Sequence, residues 1–115
     1  MQDTPSPAPV VHVIEQWSVF EVPPPEGQTK WYRHFTGICA DQPFISDAVV
    51  GFDAAGASAY TARGHIVQLL GEPDLPKEVR RLWAAWKTLH HITYERDVTR
   101  EFHSGLLLVR AGSSL

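Results

Sequence analysis

The feature that most constrains the fold is a series of five short strand-like runs within the first 70 residues. They cover residues 10–22, 30–40, 45–53, 57–61 and 65–70. Each run is rich in β-branched, aromatic or other apolar residues, and side chains of different character alternate as on the two faces of a strand. Prolines at 23–25, the segment 41–43, Gly56 and Gly64 separate the runs, and such residues favour turns and loops. Strands joined in succession by short turns predict an antiparallel meander.

A single amphipathic helix is predicted over residues 75–91. Asp74 is the expected N-cap, Pro76 suits the first turn, and Glu78 lies favourably near the N-terminal end of the helix dipole. The apolar residues then recur at helical spacing: Val79, Leu82, Trp83, Trp86 and Leu89. This stripe predicts that both tryptophans of LWAAWKTLHH pack against the sheet, and that the paired histidines at its end mark the helix C-terminus.

The chain after this helix carries a less decisive pattern. Residues 92–103 fit either a strand or a helix. The strand period is satisfied by Ile92, Tyr94, Val98 and Phe102, and the last three of these also have helical spacing. The apolar run GLLLVR, residues 105–110, predicts a last buried strand that pairs into the meander.

Together these elements predict one α+β domain over residues 10–111. Its sheet is expected to be an antiparallel meander of about five strands, strongly twisted or partly rolled, with the helix packed across one face and the C-terminal strand closing the sheet. The proline-rich segment 1–9 has nothing to bury and is expected to form a disordered arm, and residues 112–115 a tail. A length of 115 residues, 43% of them hydrophobic and 20% charged, fits one small core.

Composition also bears on the compartment. The sequence has no run of about 18 apolar residues that could cross a bilayer, and its N-terminal segment lacks the basic start and apolar stretch of a secretory signal. Cys39 is the only cysteine, so an internal disulfide is excluded, which suits a reducing environment. These features predict a cytoplasmic protein without a membrane partner.

The net charge of −3 hides an asymmetry between the two halves. Residues 1–60 carry two basic and seven acidic residues, a charge of −5, whereas residues 61–115 carry eight basic and six acidic ones, a charge of +2. Neither half has the dense basic surface that drives phosphate binding. Acidic residues such as Glu21, Asp41 and Asp47 favour a basic protein partner, whose approach they would steer electrostatically.

The run Trp31-Tyr32-Arg33-His34-Phe35 is the most specific candidate surface. Alternation places Trp31, Arg33 and Phe35 on one face of the strand and Tyr32 and His34 on the other. An outward aromatic face beside a basic group could form a protein hot spot or stack on single-stranded bases, or one face could simply be core. Three further arginines could contribute phosphate contacts: Arg63, Arg80 and Arg81.

Catalytic and metal-binding patterns are weak in this sequence. The six histidines are scattered, and no pair has the His-x₃-His or Cys-x₂-Cys spacing that zinc prefers. There is no nucleophile elbow, phosphate-binding glycine loop or cysteine motif of a known enzyme class. We therefore expect no metal, no cofactor and no catalytic residue, and we favour a non-enzymatic protein over an enzyme.

The leading hypothesis is a non-enzymatic protein-interaction module that acts by occupying a partner's surface. An inhibitor, an immunity-type protein or a phage or mobile-element accessory protein would fit, and the oligomeric state is open. The first alternative is a single-stranded nucleic-acid-binding module built on Trp31, Arg33 and Phe35. The second is a small histidine-dependent hydrolase or metal enzyme.

Overall fold

A computed structural model describes residues 8–113 of the chain. Residues 1–7 of the predicted arm and residues 114–115 of the predicted tail lie outside the described residues. The regular elements, in chain order, are β1 Val11–Val22, β2 Tyr32–Cys39, β3 Gln42–Ile45, β4 Val49–Asp53, β5 Ser58–Thr61, β6 Ile66–Leu70, α1 Lys77–Leu89, β7 Arg96–Asp97 and α2 Thr99–Ser113. The α+β class is confirmed, whereas the predicted five strands and one helix become seven strands and two helices within residues 8–113.

The sheet consists of two antiparallel units joined by one parallel pairing. Its strand order is β3-β2-β1-β6-β5-β4, and the short β7 pairs with β1 beside this path. β1 is antiparallel to β2 but parallel to β6, with Val11 opposite Ile66 and Glu15 opposite Leu70. The prediction of one continuous meander is therefore wrong, since β1 and β6 become neighbours although the chain visits four other strands between them.

The predicted third strand over residues 45–53 is divided into β3 and β4 by Ser46. The Ser46 amide donates to the carbonyl of Phe35 at 2.8 Å, and its hydroxyl accepts from the Phe35 amide at 2.9 Å. These bonds hold residue 46 against β2 and end the strand there. The preceding turn falls at Ala40 and Asp41, both with positive φ, and Pro43 lies within β3 at the sheet edge, where its missing N–H is tolerated.

The sheet is rolled, because its two end strands are adjacent in the chain. Only residues 46–48 separate β3 from β4, a span of at most about 10–14 Å. The rings of Phe35 on β2 and Phe52 on β4 stack with centroids 5.9 Å apart. The inner face of this roll holds the main hydrophobic core, which includes Ile14, Trp17, Val19, Phe35, Ala59 and Val67.

The predicted C-terminal strand over residues 105–110 is wrong, because this segment belongs to helix α2. Only one stripe of GLLLVR is buried: Leu106 joins Val98 and Phe102 in the main core, while Leu107 and Leu108 are exposed. The Asp97 carboxylate accepts a hydrogen bond from the Thr99 amide at 2.9 Å, as an N-capping side chain does. The ambiguous segment before it resolves into the two-residue strand β7 and the start of α2.

Helix α1 packs against the outer face of the roll and forms a second cluster with β1. Trp83 packs there with Phe20 and Val22, and the part-buried Trp86 lies against the same cluster, so the predicted orientation of both tryptophans is confirmed. Leu89, predicted to be in the buried stripe, is 73% exposed. The helix begins after Pro76 without a side-chain cap, so Asp74 is not its N-cap.

A bulge in β1 makes one glycine of β2 necessary. The β1–β2 register shifts between Glu15 and Ser18, and Gln16 there has a φ of 48°. Gly37 lies so close to the bulge that an added Cβ would stand 2.8 Å from the Glu15 carbonyl oxygen and 3.2 Å from the Ile14 side chain. A backbone oxygen cannot move aside as a flexible side chain could.

Gly37→Ala is therefore expected to lower the free energy of unfolding by about 1–3 kcal/mol, as overpacking in a filled core does. Gly51→Ala is the matched strand control, because a Cβ at Gly51 would meet only Tyr60 Cδ2, at 3.8 Å. Urea denaturation followed by tryptophan fluorescence measures both. Equal effects of the two substitutions would contradict the close approach at the bulge.

Candidate functional site

Both faces of the predicted WYRHF surface are covered in the fold. Phe35 is fully buried in the main core, so its ring is not available to a partner. On the other face, His34 lies under α1, with its ring centroid 4.7 Å from that of Trp86. Trp31 precedes β2 and is part-buried. Arg33, the second residue of β2, is also part-buried. The part-buried residues of this run are thus Trp31, Tyr32 and Arg33, whereas His34 and Phe35 are buried.

Glu21 and two arginines form an ion-pair cluster near the start of β2. In the strand register, Glu21 lies opposite Arg33 on β2 and opposite Arg96 on β7. Arg33 Nε donates to Glu21 Oε2 at 2.8 Å, and Arg96 Nη2 donates to Glu21 Oε1. The Glu21 side chain is only 10% exposed, whereas those of the arginines are 43% and 48% exposed. One carboxylate thus fixes two guanidinium groups side by side.

Two opposing influences act on the pKa of Glu21. Burial is the largest single one and raises the pKa, because it removes water from the charged form. The hydrogen bonds and positive charges of Arg33 and Arg96 together outweigh it, so the pKa lies below its ordinary value of about 4.5. The carboxylate is therefore ionised at neutral pH.

Aromatic rings hold the arginines of this cluster from the other side. The guanidinium carbon of Arg96 lies 3.8 Å from the Trp31 ring centroid, and that of Arg33 lies 5.3 Å from the Phe102 ring centroid. Trp31 in turn meets Tyr94 edge to face, with centroids 5.9 Å apart. A cleft of about 360 Å³ opens between these groups, and we call it the arginine cleft; it is lined by Glu21, Lys30, Trp31, Arg33, Val49, Val50, Gly51, Phe52, Arg96 and Phe102.

The remaining predicted site residues do not join this cleft. Arg63 Nε lies 3.7 Å from Asp47 Oδ1 near the turn between β5 and β6. Arg80 and Arg81 are exposed on α1, which packs on the opposite face of the sheet from Arg33. Asp41 occupies the turn between β2 and β3. The arginines required by the nucleic-acid alternative are therefore spread over separate surfaces, and that alternative stays untested.

A second surface was missed by sequence reasoning, on the outer face of the roll where α1 does not reach. Strands β1, β6 and β5 pair there with His12 opposite Val67 and Val67 opposite Ala59, and Val67 and Ala59 point into the core. The residues that alternate with these point outward. Four of them form what we call the sheet-face patch, with exposures of 52%, 44%, 42% and 45%: Val11, Val13, Tyr60 and Leu70.

An acidic margin borders the sheet-face patch at the Leu70 end. Glu15 is opposite Leu70 in the β1–β6 register, directly along the strand from Val13. Glu15, Glu72 and Asp74 are exposed and line a shallow cleft of about 360 Å³ together with Leu70. The only sequence signal for this arrangement was alternation in β1 and β6, because the parallel pairing that unites the two strands links positions 55 residues apart, as in Val11 and Ile66.

A third cleft, of about 650 Å³, lies between α1 and the proline loop after β1. Trp86, His34 and His90 line it. The Nδ1–H of His34 donates to the Ser46 carbonyl at 2.8 Å, since a carbonyl oxygen can only accept. Burial lowers the pKa of His34 and outweighs the opposing effects of Ser46 and Asp47, so its imidazole is neutral at neutral pH.

Within residues 8–113, no group of three or more His, Cys, Asp or Glu side chains is arranged to hold a metal ion. In the same range no helix has both the length and the apolar character needed to span a bilayer.

The molecule is a small α+β domain with a rolled, mostly antiparallel sheet and two candidate binding surfaces. Neither a protein-family model, a curated protein nor a solved structure matches this chain.

Proposed function

We propose that this chain is a non-enzymatic protein-interaction module that occupies a partner's surface through the sheet-face patch. The observation that supports this most is the half-exposure of Val11, Val13, Tyr60 and Leu70 on three neighbouring strands. Exposed apolar side chains that share one face of a folded domain are more often an interaction site than single scattered ones are. Gln68 lies among them, opposite Val13. Helix α1 packs on the same sheet face against Phe20 and Val22 and leaves these four residues uncovered.

The acidic margin defines the chemistry of the proposed partner. Glu15, Glu72 and Asp74 stand at one end of the patch, and polar charged rims around an apolar centre are typical of protein interfaces. A complementary partner would present an apolar centre with a basic rim. Its association would be steered by charge and slowed by salt.

We also propose that the module acts in the cytoplasm. Cys39 is a free thiol, and free thiols persist in a reducing cytoplasm. A cytoplasmic inhibitor, immunity-type protein or phage or mobile-element accessory protein would use such a surface to block the function of a basic partner.

The test is a capture experiment from extracts of the native host with three forms of the chain. Val13→Arg places a positive charge within the patch, on β1 two residues from Val11, where it should repel a basic partner and cost apolar contact. Leu108→Arg is the matched control, because Leu108 is 73% exposed on α2, outside the patch. We expect the unchanged chain and the control to retain one protein in stoichiometric amount and Val13→Arg to lose it by at least about tenfold.

Three outcomes would contradict the proposal. The first is that the unchanged chain retains no stoichiometric protein, and the second is that Val13→Arg retains it as well as the control does. The third is a homodimer in sedimentation that Val13→Arg abolishes, which would mean that the patch serves self-association instead. Far-UV circular dichroism and thermal unfolding of each variant establish that the fold is unchanged.

A further inference from the structure

The arginine cleft contains hydrogen-bond donors that the fold does not use. Arg33 bonds Glu21 through Nε, and its Nη2 lies 4.0 Å from Glu101. Arg96 bonds Glu21 through Nη2, and its guanidinium carbon lies over the Trp31 ring, 3.8 Å from the ring centroid. Among the described residues no hydrogen bond engages Arg33 Nη1, Arg96 Nη1 or Arg96 Nε. Guanidinium groups fixed by one carboxylate therefore still present N–H groups to an incoming anion.

The charge of the cleft favours a negative ligand. Lys30, Arg33 and Arg96 line it with three positive charges, and Glu21 contributes one negative charge. Glu101 adds a second negative charge beside Arg33, so the balance is +1 and favours a ligand with one negative charge. The planar fork of an arginine matches a carboxylate especially well, because two parallel N–H bonds can form.

The remaining walls are apolar and call for more than a bare anion. The apolar lining consists of Trp31, Val49, Val50, Phe52 and Phe102, and the rings of Phe52 and Phe102 meet edge to face with centroids 4.9 Å apart. A volume of about 360 Å³ lies at the lower end of the range for small-molecule sites. Inorganic phosphate or acetate is too small and polar to cover these apolar walls.

We propose that the arginine cleft binds a small organic carboxylate with an aromatic or branched apolar body. The carboxylate takes the free N–H groups of Arg33 and Arg96, with Lys30 at the entrance, and the apolar body lies between Phe52 and Trp31. The residues that line the cleft include none of the four residues of the sheet-face patch. The site is thus separate from the proposed interaction surface, and either proposal can fail without the other.

Binding is tested with phenylacetate as the probe and the indole N–H signal of Trp31 as the readout in two-dimensional NMR. The signal is assigned by its loss in Trp31→Phe. We expect a saturable shift with a dissociation constant of about 0.1–1 mM, which is ordinary for a ligand of this size. Phenylacetamide has the same shape without the charge, and acetate has the charge without the ring, so both should bind at least about tenfold more weakly.

Variants locate the binding groups. Arg96→Gln should weaken phenylacetate at least about tenfold, because it removes one guanidinium and its contact with Trp31. Arg100→Gln, on the exposed side of α2, is the matched control and should leave the affinity unchanged. If Arg96→Gln disturbs the fold, Lys30→Gln substitutes for it, since Lys30 is exposed and forms no ion pair in the described part of the chain; a two- to fivefold loss is then expected, about 0.4–1 kcal/mol.

Three results would overturn the assignment. One is the absence of a saturable Trp31 shift up to about 10 mM phenylacetate, well above the expected dissociation constant. Another is equal binding of phenylacetamide, which would make the cleft a purely apolar groove. The third is tighter binding of inorganic phosphate than of phenylacetate, which would make it a simple anion site.

Discussion

Trp83→Ala is expected to lower the free energy of unfolding by about 3–5 kcal/mol, the usual cost of removing a buried aromatic side chain. Trp83 is 3% exposed and its ring lies between those of Phe20 and Trp86, each with a centroid distance of 4.9 Å. Its indole N–H also donates to Glu95 Oε2 at 2.9 Å. The substitution opens a cavity between α1 and β1 and leaves this carboxylate with one partner fewer.

Equilibrium denaturation in urea measures the loss, with Leu89→Ala as the control on the same helix. Leu89 is 73% exposed, and alanine is the best helix former, so the control should change stability by less than about 0.5 kcal/mol. Trp86→Ala should fall between the two, because Trp86 is part-buried, stacks on Trp83 and contacts the tilted ring of His34. A loss below about 1 kcal/mol for Trp83→Ala would show that α1 does not depend on this contact.

Helix α1 was predictable because its signal is local. The stripe from Val79 to Trp86 has a period set by the helix itself, and the prolines before it limit where the helix can begin. Leu89 continues the same stripe but is 73% exposed, so no other element covers it in the last turn of α1. Periodicity gives the face of a helix but not the extent of the surface beneath it.

The C-terminal part of the chain was not predictable from short-range pattern. GLLLVR is compatible with a buried strand, and the choice of a helix depends on where Phe102 and Leu106 meet the core. That core is built from β1, β2, β5 and β6, far away in sequence. An apolar run of six residues therefore contains too little information to distinguish the two states.

The candidate surfaces show the same division between local and long-range information. Arg33 and Glu21 were both expected at a site, but their partner Arg96 lay in the ambiguous segment, and only the pairing of β7 with β1 brings it to Glu21. The sheet-face patch likewise depends on the parallel pairing of β1 with β6. Sequence reasoning identified Phe35 as a contact residue because alternation alone does not show that both faces of β2 are covered.

Glu21→Gln is expected to lower the free energy of unfolding by about 2–4 kcal/mol at neutral pH. Glutamine keeps the shape of the side chain, but only its amide oxygen can accept a hydrogen bond. One arginine N–H therefore faces an NH₂ donor in place of an acceptor, and both arginines lose their counter-ion. The cost stays below that of a fully buried broken pair, because both guanidinium groups remain about half exposed to water.

The pH dependence separates lost charge from lost packing. The pKa of Glu21 is lowered in the folded protein from its ordinary value of about 4.5, so the ionised carboxylate stabilises the fold at pH values above that value. This contribution is lost as the pH falls through about 4.5 toward the lower pKa of the folded state. The difference in unfolding free energy between the unchanged chain and Glu21→Gln should therefore be largest near pH 7 and shrink steadily as the pH approaches about 3.

Glu101→Gln provides the matched control for this charge effect, since Glu101 faces the same arginine. Its Oε2 lies 4.0 Å from Arg33 Nη2, but its side chain is 68% exposed, and an exposed ion pair contributes less than about 1 kcal/mol. Urea titrations of the three proteins at about pH 7, 5 and 3 give the comparison. A stability difference for Glu21→Gln that stays constant over this range would mean that Glu21 acts through shape alone, and equal effects of the two substitutions would mean that burial between two arginines gives Glu21 no special role.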